Sequence, residues 1–269
     1  MEHSHPHEHH HPHEHSHEHC HATSQQESGG SILTIRSFSG LSGDMLLCGL
    51  SRLSELNDEQ INQHLVKIFP ELKDSVHIVP WEVNNLGGWH ANVDLPHQHE
   101  HRTYADIEKL IQDNGQCEKG KELSLKTFHL LAEAEADVHG KTVEEVNFHE
   151  VGALDSILDI CLSCELFALL DPSEFIVSPL PIGDGHIHCA HGVIPSPAPA
   201  VQRLLKGVAV RPLGAEGESV TPTAIALLKA FGATFGEWPE MQIRNLCTVY
   251  GTKTFDGIPN GALFVYGTK

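Results

Sequence analysis

The sequence predicts an α/β protein in which a mixed sheet packs with helices, preceded by a disordered His-rich N-terminal tail. Two observations carry this prediction. Apolar runs with the periodicities of strands and of helices alternate along residues 31–269, separated by Gly- and Pro-rich turns. Residues 1–30 instead hold His, Glu, Pro and Ser followed by a Ser/Gln/Gly linker, with almost nothing apolar to bury. We therefore divide the chain into a disordered His-rich tail over 1–30 and one α/β domain over 31–269.

The strands are predicted from β-branched and alternating apolar runs. Order begins at Ser31–Ile35, and a turn over Asn85–Gly88 joins two later alternating segments. The predicted strands, in chain order, are Ser31–Ile35, Val76–Val83, Trp89–Leu95, Phe175–Ser178, Ile243–Tyr250 and Ala262–Tyr266. Between the third strand and the next helix, Pro96–Thr103 is predicted to be a polar loop.

The helices are predicted from apolar residues spaced three and four apart, with glycine or Asp-Pro stops. The first begins at Asp44 after a turn over Ser39–Gly43. The remaining predicted helices are Tyr104–Asn114, Lys121–His139, Val151–Leu170, Val201–Lys206 and Thr223–Phe231. Strands and helices alternate, which is typical of an α/β fold.

The overall charge excludes two classes of partner. The chain carries a formal net charge of −19, so nucleic acid and anionic membranes would repel it. Its seven cysteines are scattered, and we see neither a secretory signal nor a run of roughly 20 apolar residues. We therefore expect a cytoplasmic protein with free thiols and no membrane partner.

The N-terminal tail is a candidate metal-binding segment. Imidazole is a good ligand for Ni, Cu, Zn and Co, and a flexible chain with so many imidazoles can wrap a divalent ion in many ways. The histidines expected to bind metal are His3, His5, His7, His9, His10, His11, His13, His15, His17, His19 and His21. The alternative is a solubilising tail that binds nothing.

Two turns that open helices are candidate anion sites. Gly40-Leu-Ser-Gly43-Asp44 follows a strand, and Thr221-Pro222-Thr223 has Thr as a cap and Pro at the first helical position. Free N–H groups at a helix N-terminus attract an anion such as phosphate. At both places an ordinary helix cap remains the alternative interpretation.

The segment Asn147–Asp159 is richer in chemistry. On a helix, Gly152, Asp155 and Asp159 would share one face, where a small residue beside two carboxylates makes room for a cation. Two solvated aspartates near a helix start are the alternative. Cys161 and Cys164 form a C-x-x-C inside the apolar part of the same helix, where core packing is favoured over a metal clip.

A second His cluster lies in Gly183–Gly192. In an extended chain His186 and His188 would share one face and Cys189 would take the other, with His191 close by. These side chains are suited to a metal site, and a glycine-rich surface loop with incidental histidines is the alternative.

Several of these motifs together resemble the LarC family of nickel insertion proteins, in the family's order over about residues 32–266. The resembling blocks are Phe38–Met45 (FSGLSGDM), Asn147–Ile160 (NFHEVGALDSILDI), Leu180–Gly207, Glu218–Thr223, Tyr250-Gly251 and Pro259-Asn260. The sequence departs from the family at Arg36, where an acidic residue is usual, and at Ala224, where a glycine is usual.

The resemblance implies a nickel cyclometallase. The family inserts Ni²⁺ into pyridinium-3,5-bisthiocarboxylic acid mononucleotide, so that two sulfurs and a ring carbon hold the metal, and the product serves lactate racemase and related enzymes. Insertion depends on CTP, which binds with Mg²⁺ or Mn²⁺ in a C-terminal half that is absent from this chain. That half, or a longer frameshifted form, would then be a partner, together with lactate racemase and further copies of this chain in a homo-oligomer.

The resemblance also suggests roles for particular residues. Formation of a nickel–carbon bond must remove a ring proton, and His149 or Glu150 is the expected base. Asp44 and Asp155 are expected to bind metal, and His191 to act near the acceptor's sulfurs as a further metal ligand. The residues expected to hold the nucleotide are Gly40, Ser42, Gly43, Thr221 and Thr223. Two other functions remain open: a nickel storage or delivery protein without catalysis, and a scaffold that works only with the C-terminal half.

Overall fold

A computed structural model describes residues 30–95, 102–148, 151–189, 192–255 and 257–269 of the chain. The predicted tail lies outside these residues, as does most of the predicted loop Pro96–Thr103. The strands are β1 Ser31–Ser37, β2 Val76–Val83, β3 Leu86–Val93, β4 Arg102–Thr103, β5 Asn147–Phe148, β6 Glu174–Val177, β7 Leu180–Asp184, β8 His186–Cys189, β9 Gly192–Pro195, β10 Val210–Glu216, β11 Thr234–Phe235, β12 Gln242–Tyr250 and β13 Gly261–Thr268. The helices are α1 Gly43–Leu53, α2 Asp58–Ile68, α3 Tyr104–Asp113, α4 Glu118–His139, α5 Leu154–Leu170, α6 Pro199–Leu204 and α7 Pro222–Ala230.

A seven-stranded mixed sheet organises the fold, in the order β11-β6-β1-β13-β12-β3-β2. Strand β1 runs antiparallel to β13 and parallel to β6, so it lies in the interior of the sheet rather than at an edge. Three further pairs, β7 with β10, β4 with β5 and β8 with β9, form small separate sheets. The prediction of a mixed sheet packed with helices is confirmed.

One face of the large sheet carries the core. Ile35 lies opposite Phe264 in the ladder, Phe264 lies opposite Cys247, and all three are buried against the helices. A Cβ at Gly49 of α1 would overlap the ring of Phe264, so only glycine lets the helix pack this closely on the sheet. On the other face, Arg36 donates to the carbonyls of Gly236 (2.9 Å) and Glu237 (3.1 Å) and so holds the loop that follows β11 against the sheet.

Helix α5 is the central helix of the core. Cys161 and Cys164 are fully buried in it, and burial raises the pKa of the Cys164 thiol to about 12. Both side chains therefore pack as small apolar groups, as the sequence predicted. Near the helix end the ring of Phe167 stacks on Phe231 of the α7 C-cap, with 4.0 Å between centroids.

The sequence prediction was wrong about where α5 begins. The helix starts at Leu154 rather than at Val151, and residues 151–153 form a turn. A Cβ on Gly152 would lie 2.8 Å from the carbonyl oxygen of Phe148, which sits in β5. Gly152 therefore allows this turn to pack against β5, and it does not share a helix face with Asp155 and Asp159.

Helix α2 and several short strands have no counterpart among the predicted elements; these strands are β4, β5, β7, β9, β10 and β11. Helix α2 begins with a capping box formed by Asn57 and Gln60, and β10 pairs in parallel with β7. The stretch Gly183–Gly192, for which the sequence left an extended strand and a glycine-rich loop open, contains β8 and the first residue of β9, and these two strands pair as a hairpin. Within the described residues, no helix has the length and apolar character needed to cross a membrane.

Candidate functional site

The two loops predicted to be anion sites, which open α1 and α7, are joined to each other by backbone hydrogen bonds. Leu41 donates its N–H to the carbonyl of Ser219 (2.9 Å), and Thr221 donates to the carbonyl of Leu41 (3.1 Å). This short parallel bridge sets the first turn of α1 beside the first turn of α7. A Cβ on Gly43 would lie 3.1 Å from Cγ2 of Thr223. Two helix N-termini therefore meet at one place, and each brings partial positive charge. The first turn of α1 has no side-chain cap, whereas in α7 Pro222 has no N–H and Thr221 caps the N–H of Ala224.

A third helix contributes carboxylates to the same place. Asp159 lies on the second turn of α5, and its Oδ2 would be 3.1 Å from a Cβ at Gly43. Its Oδ1 is buried and has no hydrogen-bond partner in the part of the chain that the structure describes. Burial raises the pKa of Asp159 well above its ordinary value, and the charges of Asp44 and Asp155 raise it further.

This arrangement favours a bound cation. Removing a carboxylate from water without a donor is costly, and nearby carboxylates of the same sign add to the cost. A positive ion would offset both effects. Among the described residues, no group of three or more His, Cys, Asp or Glu side chains has the geometry of a complete metal site. A cation held here would therefore take further ligands from a bound substrate or from water.

The helix caps differ among the three N-termini. Thr221 caps α7 in the ordinary way, accepting from the N–H of Ala224 (3.3 Å). Ser42 occupies the same position in α1 but donates its hydroxyl to the Oδ1 of Asp44 instead of capping a backbone N–H. The α5 cap position is Ala153, whose methyl group cannot accept a hydrogen bond from the helix. The N-termini of α1 and α5 are therefore without side-chain caps.

Close backbone packing explains the glycine at the start of the first loop. A Cβ on Gly40 would overlap the carbonyl of Ser219 and would also crowd Oδ1 of Asn260. Asn260 is 7% exposed, and this Oδ1 has no hydrogen-bond partner within the described ranges. The loop is further tied to the β12–β13 connection by the hydroxyl of Ser39, which donates to the carbonyl of Pro259.

Ser219 connects this region to the β8–β9 hairpin. Its hydroxyl donates to the carbonyl of Pro181 (2.7 Å) and accepts from the N–H of Gly183 (3.0 Å). The hydroxyl of Ser196, at the other end of the hairpin, donates to the carbonyls of Gly183 (2.8 Å) and Gly217 (3.0 Å). Seryl hydroxyls thus fix the base of the hairpin to the loop that leads into α7.

All of the predicted site residues that the structure describes lie together. The residues predicted to hold the nucleotide and the two predicted metal-binding aspartates surround the junction of α1, α5 and α7; they are Gly40, Ser42, Gly43, Asp44, Asp155, Thr221 and Thr223. The other predicted site residues lie outside the described residues: the tail histidines His3–His21, His149, Glu150 and His191.

Two residues at the junction were missing from the sequence-based set of site residues. Asp159 was named from the sequence, together with Asp155, as one of two carboxylates that could make room for a cation, but it was not among the expected site residues; its surroundings depend on the packing of α1 beside α5. Asn260 lies 220 residues beyond Gly40 in the chain, and only the family block Pro259-Asn260 pointed to it. The departure at Arg36 is accounted for by the bonds that this side chain makes to the loop after β11.

Comparison with known proteins adds independent information. The family model described as "Nickel insertion protein" matches residues 33–267. A relative from Staphylococcus epidermidis, named pyridinium-3,5-bisthiocarboxylic acid mononucleotide nickel insertion protein, is 37% identical over 82% of this chain and 55% of its own length. A protein of the same name from Staphylococcus saprophyticus is 35% identical, over 82% of this chain and 56% of its own length.

A third relative, from Dictyoglomus thermophilum, is 37% identical over 83% of this chain and 57% of its own length. The chain thus spans little more than half the length of the relatives that it matches. No solved structure matches the chain.

Proposed function

This chain belongs to the nickel insertion protein family, and we propose that it takes part in inserting Ni²⁺ into pyridinium-3,5-bisthiocarboxylic acid mononucleotide. The observation that carries the proposal is the convergence of two helix N-termini on the carboxylate of Asp159, whose buried Oδ1 has no hydrogen-bond partner among the described residues. The charges of the two substrates are complementary to these groups. The mononucleotide is an anion, which suits the helix N-termini, and nickel is a divalent cation, which suits the carboxylate.

The helix N-termini would seat the anion. The first turns of α1 and α7 lie side by side, and the partial positive charge of the two helix N-termini favours phosphate or thiocarboxylate. Gly43 keeps this place free of a side chain, because a Cβ there would reach to 3.1 Å from both Thr223 and Asp159. The loop bridge at Leu41 holds the two helix ends in register without help from the ligand.

The aspartates would receive the metal substrate. A divalent cation near Asp44, Asp155 and Asp159 would favour the ionised form of Asp159 and release its proton. Oxygen ligands hold nickel less well than sulfur does, so transfer to the two sulfurs of the acceptor is favourable. The carboxylates would therefore hold the ion briefly beside its acceptor.

The remaining step needs a base. Joining nickel to a ring carbon displaces the proton of that carbon, and a group nearby must accept it. We propose His149 or Glu150, which directly precede the turn leading into α5, and His191 as the group near the sulfurs. All three lie outside the described residues, so their assignment depends on the family motif alone.

The relatives' additional length suggests further components. We propose that CTP with Mg²⁺ or Mn²⁺ binds in a C-terminal half of the kind that longer relatives have, that the product serves lactate racemase-type enzymes, and that the chain acts as a homo-oligomer. The His-rich tail would act as a nickel reservoir for the site.

The test is nickel insertion by Asp159→Asn. The chain would be mixed with the C-terminal half of a relative, CTP, Mg²⁺, Ni²⁺ and the mononucleotide, and the nickel-containing product would be followed by mass spectrometry. We expect a loss of about 100-fold or more in rate, the range for removing a group that acts at the reacting centre. Asp137→Asn is the control, because this carboxylate is 63% exposed and forms a surface ion pair with Arg203.

The same assay separates insertion from storage. A nickel storage or delivery protein would owe its activity to the tail, so Asp159→Asn would supply nickel to an independent acceptor as well as the natural chain does. Normal product formation by Asp159→Asn would overturn the proposed role of this site, and absence of product from the natural chain would overturn the proposed function.

A further inference from the structure

We infer that the β8–β9 hairpin carries an exposed docking point for a divalent transition-metal ion, formed by the imidazoles of His186 and His188. Both side chains are exposed, and they lie two residues apart on one strand. Side chains at this spacing point to the same side of a strand. The pair is separate from the junction of α1, α5 and α7.

The strand pairing and the exposure of the side chains show which residues share a face of the hairpin. His188 pairs with Val193 and His186 with Pro195, and all four are exposed. Ile187 pairs with Ile194 between them, and both are half-buried. The half-buried isoleucines therefore lie on one face of the hairpin, and the two exposed imidazoles lie together on the opposite face.

These imidazoles are not used to hold the fold together. No hydrogen bond or ion pair joins either ring to another residue in the described ranges. Two other histidines do have structural partners: His64 lies 3.3 Å from Glu165, and Nδ1 of His90 lies 2.9 Å from the carbonyl oxygen of Tyr250. No other described residue therefore competes with a ligand from solvent for the ring nitrogens of His186 and His188.

The spacing suits a chelate. A strand rises by about 3.4 Å per residue, so the two Cα atoms are about 7 Å apart, and both rings can reach one ion. Imidazole is a ligand for nickel, copper and zinc alike. Two ligands leave most of the coordination shell to water, which agrees with the absence of a complete three-ligand group among the described residues. Such a site exchanges metal readily and suits transfer better than storage.

The hairpin is tied directly to the loop before α7. Gly217 donates to the carbonyl of Asp184 (2.7 Å), and Ser196 donates to that of Gly183 (2.8 Å). Metal docked on the hairpin would therefore sit on the element next to the proposed insertion site. The role in passing nickel inward rests on the proposed function, whereas metal binding by the pair does not.

Residue-resolved histidine modification tests the docking point on the full chain. The protein would be treated with diethylpyrocarbonate, with and without Ni²⁺ in excess over the tail, and the modification rate of each histidine would be read by mass spectrometry. We expect Ni²⁺ to slow modification of His186 and His188 at least about fivefold, and to leave His77, which lies on β2, unchanged. Equal rates with and without Ni²⁺ at both positions would overturn the inference.

Two variants show whether the pair acts as a chelate. In His188→Ala the protection of His186 should fall to the level of His77, because a single imidazole binds nickel more weakly than two. Val193→Ala, at a position that is 61% exposed on the same face, should leave the protection of both histidines in place. Full protection of His186 in His188→Ala, or its loss in Val193→Ala, would contradict the two-imidazole site. Neither result depends on the mononucleotide, so failure here is distinct from failure of nickel insertion.

Discussion

Two carboxylates on helix α5 have opposite surroundings. Glu165 is 4% exposed, and it lies 3.3 Å from the ring nitrogen of His64 and accepts from the N–H of Cys117 (3.0 Å). Burial opposes its ionisation, but these hydrogen bonds outweigh burial and lower its pKa. Asp159 lies six residues earlier, has an Oδ1 with no hydrogen-bond partner in the described part of the chain, and has a pKa raised by burial and by neighbouring carboxylates.

The difference separates a carboxylate that the fold satisfies from the one that we propose to act in the site. Hydrogen bonds within the protein complete Glu165, so its charge joins α5 to α2 and to the start of α4. Among the described residues Oδ1 of Asp159 has no partner, and the neighbouring elements bring the like charges of Asp44 and Asp155. A site that is costly in the free protein and satisfied by a ligand is typical of function.

The largest stability effect is expected when the completed carboxylate is removed. Glu165→Ala would leave the N–H of Cys117 and the ring of His64 without their acceptor and would open a cavity. We expect a loss of about 3 kcal/mol in the free energy of unfolding, measured by urea titration. Nickel insertion per folded molecule should be unchanged. A variant as stable as the natural chain would remove the basis of the comparison.

A smaller effect of opposite sign is expected for Asp159→Asn. Because folding raises the pKa of Asp159, the native state keeps a proton that the unfolded chain releases above about pH 4. The stability contribution of this group therefore falls as pH rises from about 4 to the raised pKa, and asparagine removes that loss. We expect Asp159→Asn to unfold several degrees higher at pH 7 and to lose this advantage near pH 4.

Thermal unfolding of both proteins across this pH range checks the prediction. The Asp137→Asn variant should show no comparable pH-dependent gain, since its carboxylate is exposed. An Asp159→Asn variant less stable than the natural chain at pH 7 would mean that the carboxylate is satisfied in the free protein.

The smallest effect is expected from removing a helix cap. Two caps can be compared, one at the junction of α1, α5 and α7 and one away from it. Thr221 caps α7 at the junction, and Thr103 caps α3 away from it by accepting from the N–H of Asp106 (3.1 Å). Changing either to Ala should cost about 1 kcal/mol in the free energy of unfolding. Only Thr221→Ala should also weaken binding of the mononucleotide, measured by calorimetry. Equal binding by the two variants would argue against the α7 N-terminus as an anion seat.

The sequence contains much of this fold because its local patterns are strong. The alternation of Val76–Val83 and the periodicity of Tyr104–Asn114 predicted β2 and α3 closely. The start of α5 could not be predicted, because it depends on Gly152 packing against Phe148, a tertiary contact. Helix α2 was not predicted because its apolar stripe is narrow, with Ile61, Leu65 and Ile68 as its buried residues.

The candidate site was predictable in part for the same reason. The glycine loop and the Thr-Pro-Thr cap are local motifs, and both lie where the helix starts were expected. The contact between those two helix starts runs through Leu41 and Ser219, which are 178 positions apart, and periodicity says nothing about it. The partnerless state of Asp159 likewise depends on which helices pack around it.

The most direct test of the central claim is the titration of the two α5 carboxyl groups in the folded full-length chain. Selective ¹³C labelling of Asp and Glu carboxyls, with assignment from Asp159→Asn and Glu165→Gln, would give both pKa values by NMR. We predict a pKa for Asp159 well above the ordinary aspartate value near 3.9 and a pKa for Glu165 below the ordinary glutamate value near 4.3. An ordinary or lowered pKa at Asp159 would contradict the account, because the carboxylate would then be stabilised by the protein itself and would need no ligand.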